Sequence, residues 1–267
     1  MILKTGMLKE VWTRRDFMWS SVKREFAARW TGTQFGPFWL LAQPLATILI
    51  FTVIFVNIMR PGMPAHDSKF AYSIYLCAGI LTFNLFSEML GRSVVIFVDN
   101  ANLLKKIYFP KLCLPVIVMV SSLLNFAVTM SLFSCFLLIA RVFPGWVVLA
   151  VLPVLAVQVV FTMGLGMFLA CINVFYRDVQ QAVQVLLQFW FWLTPIVYIP
   201  ATLPDWVGEL LCWNPLFPLI QAYQGIFLEQ AVPDWASLLY PGLLGVFFAL
   251  LGIFAFYRLQ GEIVDAL

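Results

Sequence analysis

Six apolar stretches, residues 36–59, 73–98, 112–140, 147–175, 179–200 and 236–257, decide what this chain can become. A helix needs roughly 20 mainly apolar residues to cross the hydrocarbon of a bilayer, and each stretch is long enough. Several connections between them are short: RVFPGW joins the third to the fourth, and Tyr176-Arg177-Asp178 joins the fourth to the fifth. Charged residues make up 11% of the chain, against about 25% in an ordinary soluble domain. No long polar region remains for a separate soluble domain. The expected fold is an all-α integral membrane protein, residues 1–267 forming a single domain with six transmembrane helices.

Lysine and arginine orient the spans, because cytoplasmic loops carry the excess. Lys4, Lys9, Arg14, Arg15, Lys23, Arg24 and Arg29 precede the first span. Lys105, Lys106 and Lys111 follow the second, Arg177 the fourth and Arg258 the last, whereas the other side carries Arg60, Lys69 and Arg141. Both termini are therefore expected in the cytoplasm. The first thirty residues are basic and lack an uninterrupted apolar core, so no cleavable signal peptide is expected. Residues 11–30 read instead as an amphipathic helix along the cytoplasmic interface. Val11, Trp12, Met18, Trp19, Val22, Phe26 and Trp30 share one arc, about 120° wide; Arg15 and Arg29 fall in it too and must snorkel to the headgroups.

Several chemistries are missing. Cys77, Cys113, Cys135, Cys171 and Cys212 have no metal-ligand spacing, and the single histidine, His66, lies in an outer loop. No metal site is expected. There is no GxxxxGK[ST] to cradle ATP phosphates, no HExxH and no DxD. Glu88 and Arg92 form an i, i+4 ionisable pair on the second span, a spacing that fits a structural ion pair or a relay.

Residues 200–235 are too apolar for a free loop and too broken by Pro200, Pro204, Pro215, Pro218 and Pro233 for a span. Non-helical backbone at membrane depth survives only inside protein or along a wet cavity. Short re-entrant outer helices fit, acting as a gate around Trp206, Trp213, Asn214 and Pro215; an amphipathic lid on the lipid surface is the alternative.

On the fifth span Gln181, Gln184, Gln188 and Trp192 follow steps of three, four and four and share one face. Polar amides in a membrane helix face protein or water. Glutamine below and tryptophan above would suit a path for sugars, which have hydroxyl edges and flat C–H faces. An aromatic belt or helix-pair glue fits the same residues, and the span alone does not choose. Phe189 to Trp192 spread over about 300° of the helix. Trp192 continues the glutamine face, so Trp190→Ala is expected to be the milder change; Phe189 and Tyr198 are further candidates to line the path.

REFAARWTGTQFGPFWLLAQPL (24–45), NANLLKKIYFPKLCLPV (100–116), FYRDVQQAVQVLLQFWFWLTPIVY (175–198) and NPLFPLIQAYQGIFLE (214–229) together resemble the permease subunits of ABC-2 type polysaccharide exporters, most closely the O-antigen permeases of Gram-negative bacteria. The resemblance runs in order along almost the whole chain. It implies a bacterial inner-membrane transporter subunit rather than an enzyme, paired with a second copy of itself and with two copies of a cytoplasmic ABC ATPase. That partner would bind the ATP and magnesium; no cofactor is implied for this chain. The cargo would be a polyprenyl-linked polysaccharide, and no nucleic acid is involved. The resemblance places Trp39, Gln43 and Thr47 of the first span opposite the stripe of the fifth. It also places a coupling segment around Asn100 to Pro110, with Lys105, Lys106, Tyr108 and Phe109, and draws Arg177-Asp178 into the same role. Trp30-Thr31 departs from the family, where a Tyr and a basic residue are common.

Two other classes compete. A permease of the same fold moving a small hydrophobic drug or lipid would need a dry cavity. A polyprenyl-phosphate glycosyltransferase would need clustered cytoplasmic carboxylates, and Asp99 and Asp178 are isolated in sequence. The loop supplies the sharpest expectation: Ile107-Tyr108-Phe109, fixed by Pro110 and rimmed by Lys105, Lys106 and Lys111, suits a socket on a soluble partner. Replacing Tyr108 and Phe109 by Ala should uncouple ATP hydrolysis from export while the membrane level stays normal; unchanged export would remove the docking role.

Overall fold

A computed structural model of the protein describes residues 15–28, 38–54, 69–101, 105, 113–200 and 203–266. These form α1 (Arg15–Ala28), α2 (Phe38–Val53), α3 (Ala71–Asp99), α4 (Cys113–Ile139), a 3₁₀ turn (Gly145–Ala150) and α5 (Val151–Phe175). They continue with α6 (Asp178–Leu193), α7 (Asp205–Cys212), α8 (Leu216–Gln224), a π turn (Gly225–Glu229) and α9 (Leu239–Ala266). No strand occurs among the described residues.

Helix α3 is the mast of the bundle. It is apolar on nearly all sides, which suits a helix surrounded by others, and 20 of its 29 residues are buried. It touches α2, α4, α5, α6, α8 and the π turn. Among the described residues four helical segments are long and apolar enough to cross a membrane: α3, α4, α5 with its preceding turn, and α9. The other two expected spans are described as 16-residue helices, about 24 Å each against a hydrocarbon core of about 30 Å. For α2, residues 55–68 lie outside the described residues. For α6 the cause is chemical: Pro195 disfavours helix at the residue before it, and Thr194 is extended at φ −104°, ψ 134°. The last helix runs on to Ala266, well past its apolar portion.

The chain after α6 stays non-helical to Ile199. Its carbonyls are covered from the mast. Tyr72 donates to the Val197 carbonyl, and the Tyr75 hydroxyl lies 3.0 Å from the Pro195 carbonyl and 2.9 Å from that of Tyr198. Gln224 of α8 reaches the Pro195 carbonyl at 3.3 Å. The outer segment then divides. In α8 seven of nine residues are buried, whereas α7 leaves Trp206 and Leu210 exposed. One part of the segment, α8, is thus buried in the bundle, and the other, α7, is largely exposed.

Helix α1 rests on α4 through the buried Ser21 and Val22. Trp19 remains exposed, with Lys23 Nζ 5.6 Å from its ring centre. The rest of the expected interface helix, residues 11–14, 29 and 30, lies outside the described residues.

The most extensive helix contact is α5 against α9, and glycines permit it. A Cβ on Gly164 would stand 2.6 Å from the Gly245 carbonyl oxygen, and one on Gly245 would stand 2.8 Å from Phe161 Cα. Small residues let membrane helices approach backbone to backbone. Gly164→Ala and Gly245→Ala should each lower thermal stability in detergent, by roughly 1–3 kcal/mol as overpacking does. Gly208→Ala, where a Cβ meets nothing within 4 Å, should be silent in the same melting experiment.

Candidate functional site

Helix α6 packs on α3 and α5 and buries only Val183 and Leu187. That choice of face turns Gln181, Gln184, Gln188 and Trp192 outward, all exposed. They line a cleft of about 1150 Å³, together with Gln180. Across it stand Trp39, Gln43 and Thr47 of α2. Seven of the nine residues expected to line a path therefore meet at one cavity. Gln184 crosses α3 where there is no side chain: a Cβ on Gly91 would lie 3.2 Å from its Nε2.

Sequence reasoning missed the third wall. Asn84, Ser87, Glu88 and Arg92 of α3 and Ser122, Asn125 and Thr129 of α4 also line the cleft. The α3 residues follow helical spacing, but Asn84 and Ser87 stand singly in an apolar run and gave no pattern. The floor is charged. Arg92 binds Glu25 of α1 and lies 3.4 Å from Glu88. Asn125 donates to Glu88 at 2.7 Å, Ser121 donates to Glu25 at 3.1 Å, and Arg92 reaches Ser122 Oγ at 3.4 Å. The Glu88–Arg92 spacing was legible; its third partner, 67 residues away in sequence, was not.

The four adjacent aromatics separate. Phe191 meets Phe83 edge-on at 5.2 Å, and Trp190 meets Phe86 at 5.3 Å. Trp192 faces the cleft with 62% of its surface exposed. Phe189 is exposed outside the cleft. Tyr198 also stands outside it, its hydroxyl donating to the Trp192 carbonyl at 3.1 Å. The Pro195 break redirects Tyr198 away from the stripe.

Of the outer-segment candidates, Trp206 and Trp213 are exposed, and Pro215 is partly buried at the start of α8. Asn214 is a hub. Its Oδ1 accepts from Trp190 Nε1 at 2.8 Å and from the Leu216 amide at 3.0 Å, and its Nδ2 donates to Thr194 Oγ1 at 2.9 Å. Trp190 thus bolts α6 to the outer segment and is no inert control for Trp192.

At the other end Asn100 donates to the Ile96 carbonyl at 2.9 Å, and Lys105 is exposed. Lys106, Tyr108, Phe109 and Pro110 lie outside the described residues. Arg177 and Asp178 are exposed where α6 begins. The turn is braced by Asn173, which accepts from the Gln180 amide at 3.0 Å and donates to the Val94 carbonyl at 3.1 Å.

Residues 17–228, which include the cleft and both ends of α6, match the model of the ABC-2 type transporter family. The chain belongs to that family. It is a multi-pass membrane permease of the ABC-2 type, and its relatives are named as transport proteins. The O-antigen export system permease protein RfbA of Myxococcus xanthus is 32% identical over 230 residues, covering 85% of this chain and 86% of the relative. An RfbA of Klebsiella pneumoniae is 26% identical, covering 94% and 95%. The polysialic acid transport protein KpsM of Escherichia coli is 22% identical, covering 90% and 91%.

In this ABC-2 permease Asn214→Ala should leave the partly buried Trp190 indole N–H and the Leu216 amide without this partner, at roughly 1 kcal/mol, the low end for an orphaned group. Trp190→Phe keeps a ring against Phe86 and removes the N–H, and should cost less. Melting temperatures of the purified variants check the order.

Proposed function

We infer that this chain is the transmembrane subunit of an ATP-driven exporter that moves a polyprenyl-linked polysaccharide of the O-antigen kind across the bacterial inner membrane. The observation that carries the reading is the composition of the cleft: glutamines on one wall, asparagine, serine and threonine opposite, and the rings of Trp39 and Trp192 at its edges. Amides and hydroxyls exchange hydrogen bonds with sugar hydroxyls, and indole faces pack against C–H surfaces. No single deep pocket is needed, and a sliding polymer would stall in one. Contacts on the order of 1 kcal/mol, as for weak aromatic contacts generally, release as the chain advances.

The names of the relatives add support, since RfbA and KpsM are both named for the transport of a sugar polymer. A small hydrophobic drug or lipid would need a dry cavity; apolar side chains such as Leu81, Phe83 and Phe126 also line this cleft, but its glutamines and the Glu88–Arg92 pair favour a polar cargo.

The exposed cleft faces of α2 and α6 suit a homodimer. A second copy about a twofold axis would close the open side and enclose a pore. Two copies of a cytoplasmic ABC ATPase would supply the energy, because the chain has no phosphate-binding loop of its own. Their motion would pass as a rigid-body shift through the loop around residues 99–111 and the Arg177-Asp178 turn. The basic bias of the loops supports six spans with both termini cytoplasmic.

Trp192→Ala tests the path. Export, measured as surface polysaccharide per membrane-inserted protein, should fall about fivefold, the equivalent of about 1 kcal/mol. Phe189→Ala, outside the cleft, should leave it near normal. Equal, small effects would return the aromatics to ordinary packing and belt roles.

A further inference from the structure

A second cavity, of about 490 Å³, lies beside the first. It is bounded by Ser21, Arg24 and Glu25 of α1, by the Asp99–Asn100 end of α3, and by Leu114 and Val118 of α4. The two cavities follow the same pair of helices in sequence. On α4 the second cavity spans Leu114 to Val118 and the first spans Ser122 to Thr129. On α3 the second spans Arg92 to Asn100 and the first Leu81 to Val95. Arg92 and Val95 line both. The α3–α4 groove is therefore one feature, about 29 Å long over residues 81–100, interrupted where Arg92 meets Glu25 and Ser122 and where Ser121 donates to Glu25.

We propose that the Arg92–Glu25 ion pair is a latch dividing this groove, and that movement of α1 opens it to join the two cavities into one passage. Among the described residues, Glu25 is the member of the network carried by α1; Arg92, Glu88, Ser121, Ser122 and Asn125 belong to α3 and α4. A shift of α1 therefore withdraws one carboxylate and leaves the rest in place. Side-chain exposures of 23% for Arg92 and 32% for Glu25 put the pair at a boundary with solvent. Stranding a fully buried charge is costly, but neither partner is stranded here. Arg92 keeps Glu88 and Ser122, and Glu25 departs towards water. The basic residues beside Glu25 on α1, Lys23 and Arg24, stay with it as it moves, and Arg24 already bonds within the helix, to Ser21 at 3.4 Å.

The consequence for export rests on the cleft being the path, so the test reads the latch separately. Ser87→Cys places a thiol on the cleft side of Arg92. A charged, membrane-impermeant maleimide is offered to the full-length protein from the α1 face of the membrane, with the parent lacking Ser87→Cys as the baseline for native thiols. Adding Glu25→Gln should speed labelling about tenfold, the equivalent of about 1.4 kcal/mol. The exchange Glu25→Arg with Arg92→Glu rebuilds the pair in reverse, keeps one cation and two carboxylates, and should return labelling to the slow rate. Glu25→Asp, which keeps the charge on a shorter arm, should fall between and serves if Glu25→Gln does not insert. Unchanged labelling in Glu25→Gln, or fast labelling in the exchange variant, overturns the latch. Surface polysaccharide is measured in the same cells. Labelling that follows the latch while export is unaffected keeps the latch and rejects the cleft as the path.

Discussion

Inside a bilayer a backbone carbonyl without a donor has no water to turn to, and the protein is organised around the one place where this threatens most. Pro195 stops α6 and leaves residues 194–199 outside any helix. The carbonyls of Pro195, Val197 and Tyr198, freed from helical bonding, are met by Tyr72, Tyr75 and Gln224. Two of these donors stand on α3, the most buried helix, and the third on α8, itself mostly buried. The break is therefore held from the core. Because it is held, the chain can turn back into the protein as α8 rather than cross to the outside and stay there.

The same mast sets the character of the cleft. Ile74, Phe86, Met89 and Phe97 of α3 are buried in the core, while Asn84, Ser87, Glu88 and Arg92 fall on a face that α2, α4 and α6 leave open. A charged pair in a membrane helix survives when its hydrogen-bonding capacity is met and it borders water. Asn125, Ser121 and Ser122 of α4 meet it here. Polarity in the cleft and stability in the bundle thus come from the same residues, and replacing them with apolar ones would trade one for the other.

What the sequence disclosed follows the range of each interaction. Hydropathy is local, so the apolar stretches of α3, α4, α5 and α9 and the division at YRD were legible, although α9 continues to Ala266, beyond the apolar stretch ending at 257. The glutamine stripe was legible because helical periodicity is a local rule, and its four residues line the cleft; Trp39, Gln43 and Thr47, which the family resemblance placed opposite, line it too. Tyr198 stands outside that cleft because a proline between it and the stripe cancels the periodicity. Asn84 and Asn125 were invisible because a lone amide in an apolar run has many uses. Glu25 was invisible for a different reason: nothing in a basic, interfacial helix marks the one acid that will reach 67 residues along the chain to Arg92. The outer segment was legible as irregular but not as divided, since the prolines that break it say nothing about which half is buried.

The run Phe189 to Trp192 shows how a cluster without any internal pattern acquires one. At 100° per residue four adjacent rings cannot share a task. Trp190 and Phe191 press against Phe86 and Phe83 of the mast, and Trp190 also holds Asn214. Phe191 in turn meets Trp192 edge-on at 5.4 Å, and Tyr198 binds the carbonyl of Trp192 from above. The exposed ring is thus flanked by partly buried ones. Leucine or isoleucine could fill the same core space, but they offer no flat edge against which an indole can be set. A flat surface facing a cleft is useful to a passing molecule only if it does not yield, and the aromatic neighbours fix the orientation of Trp192 while leaving its face clear.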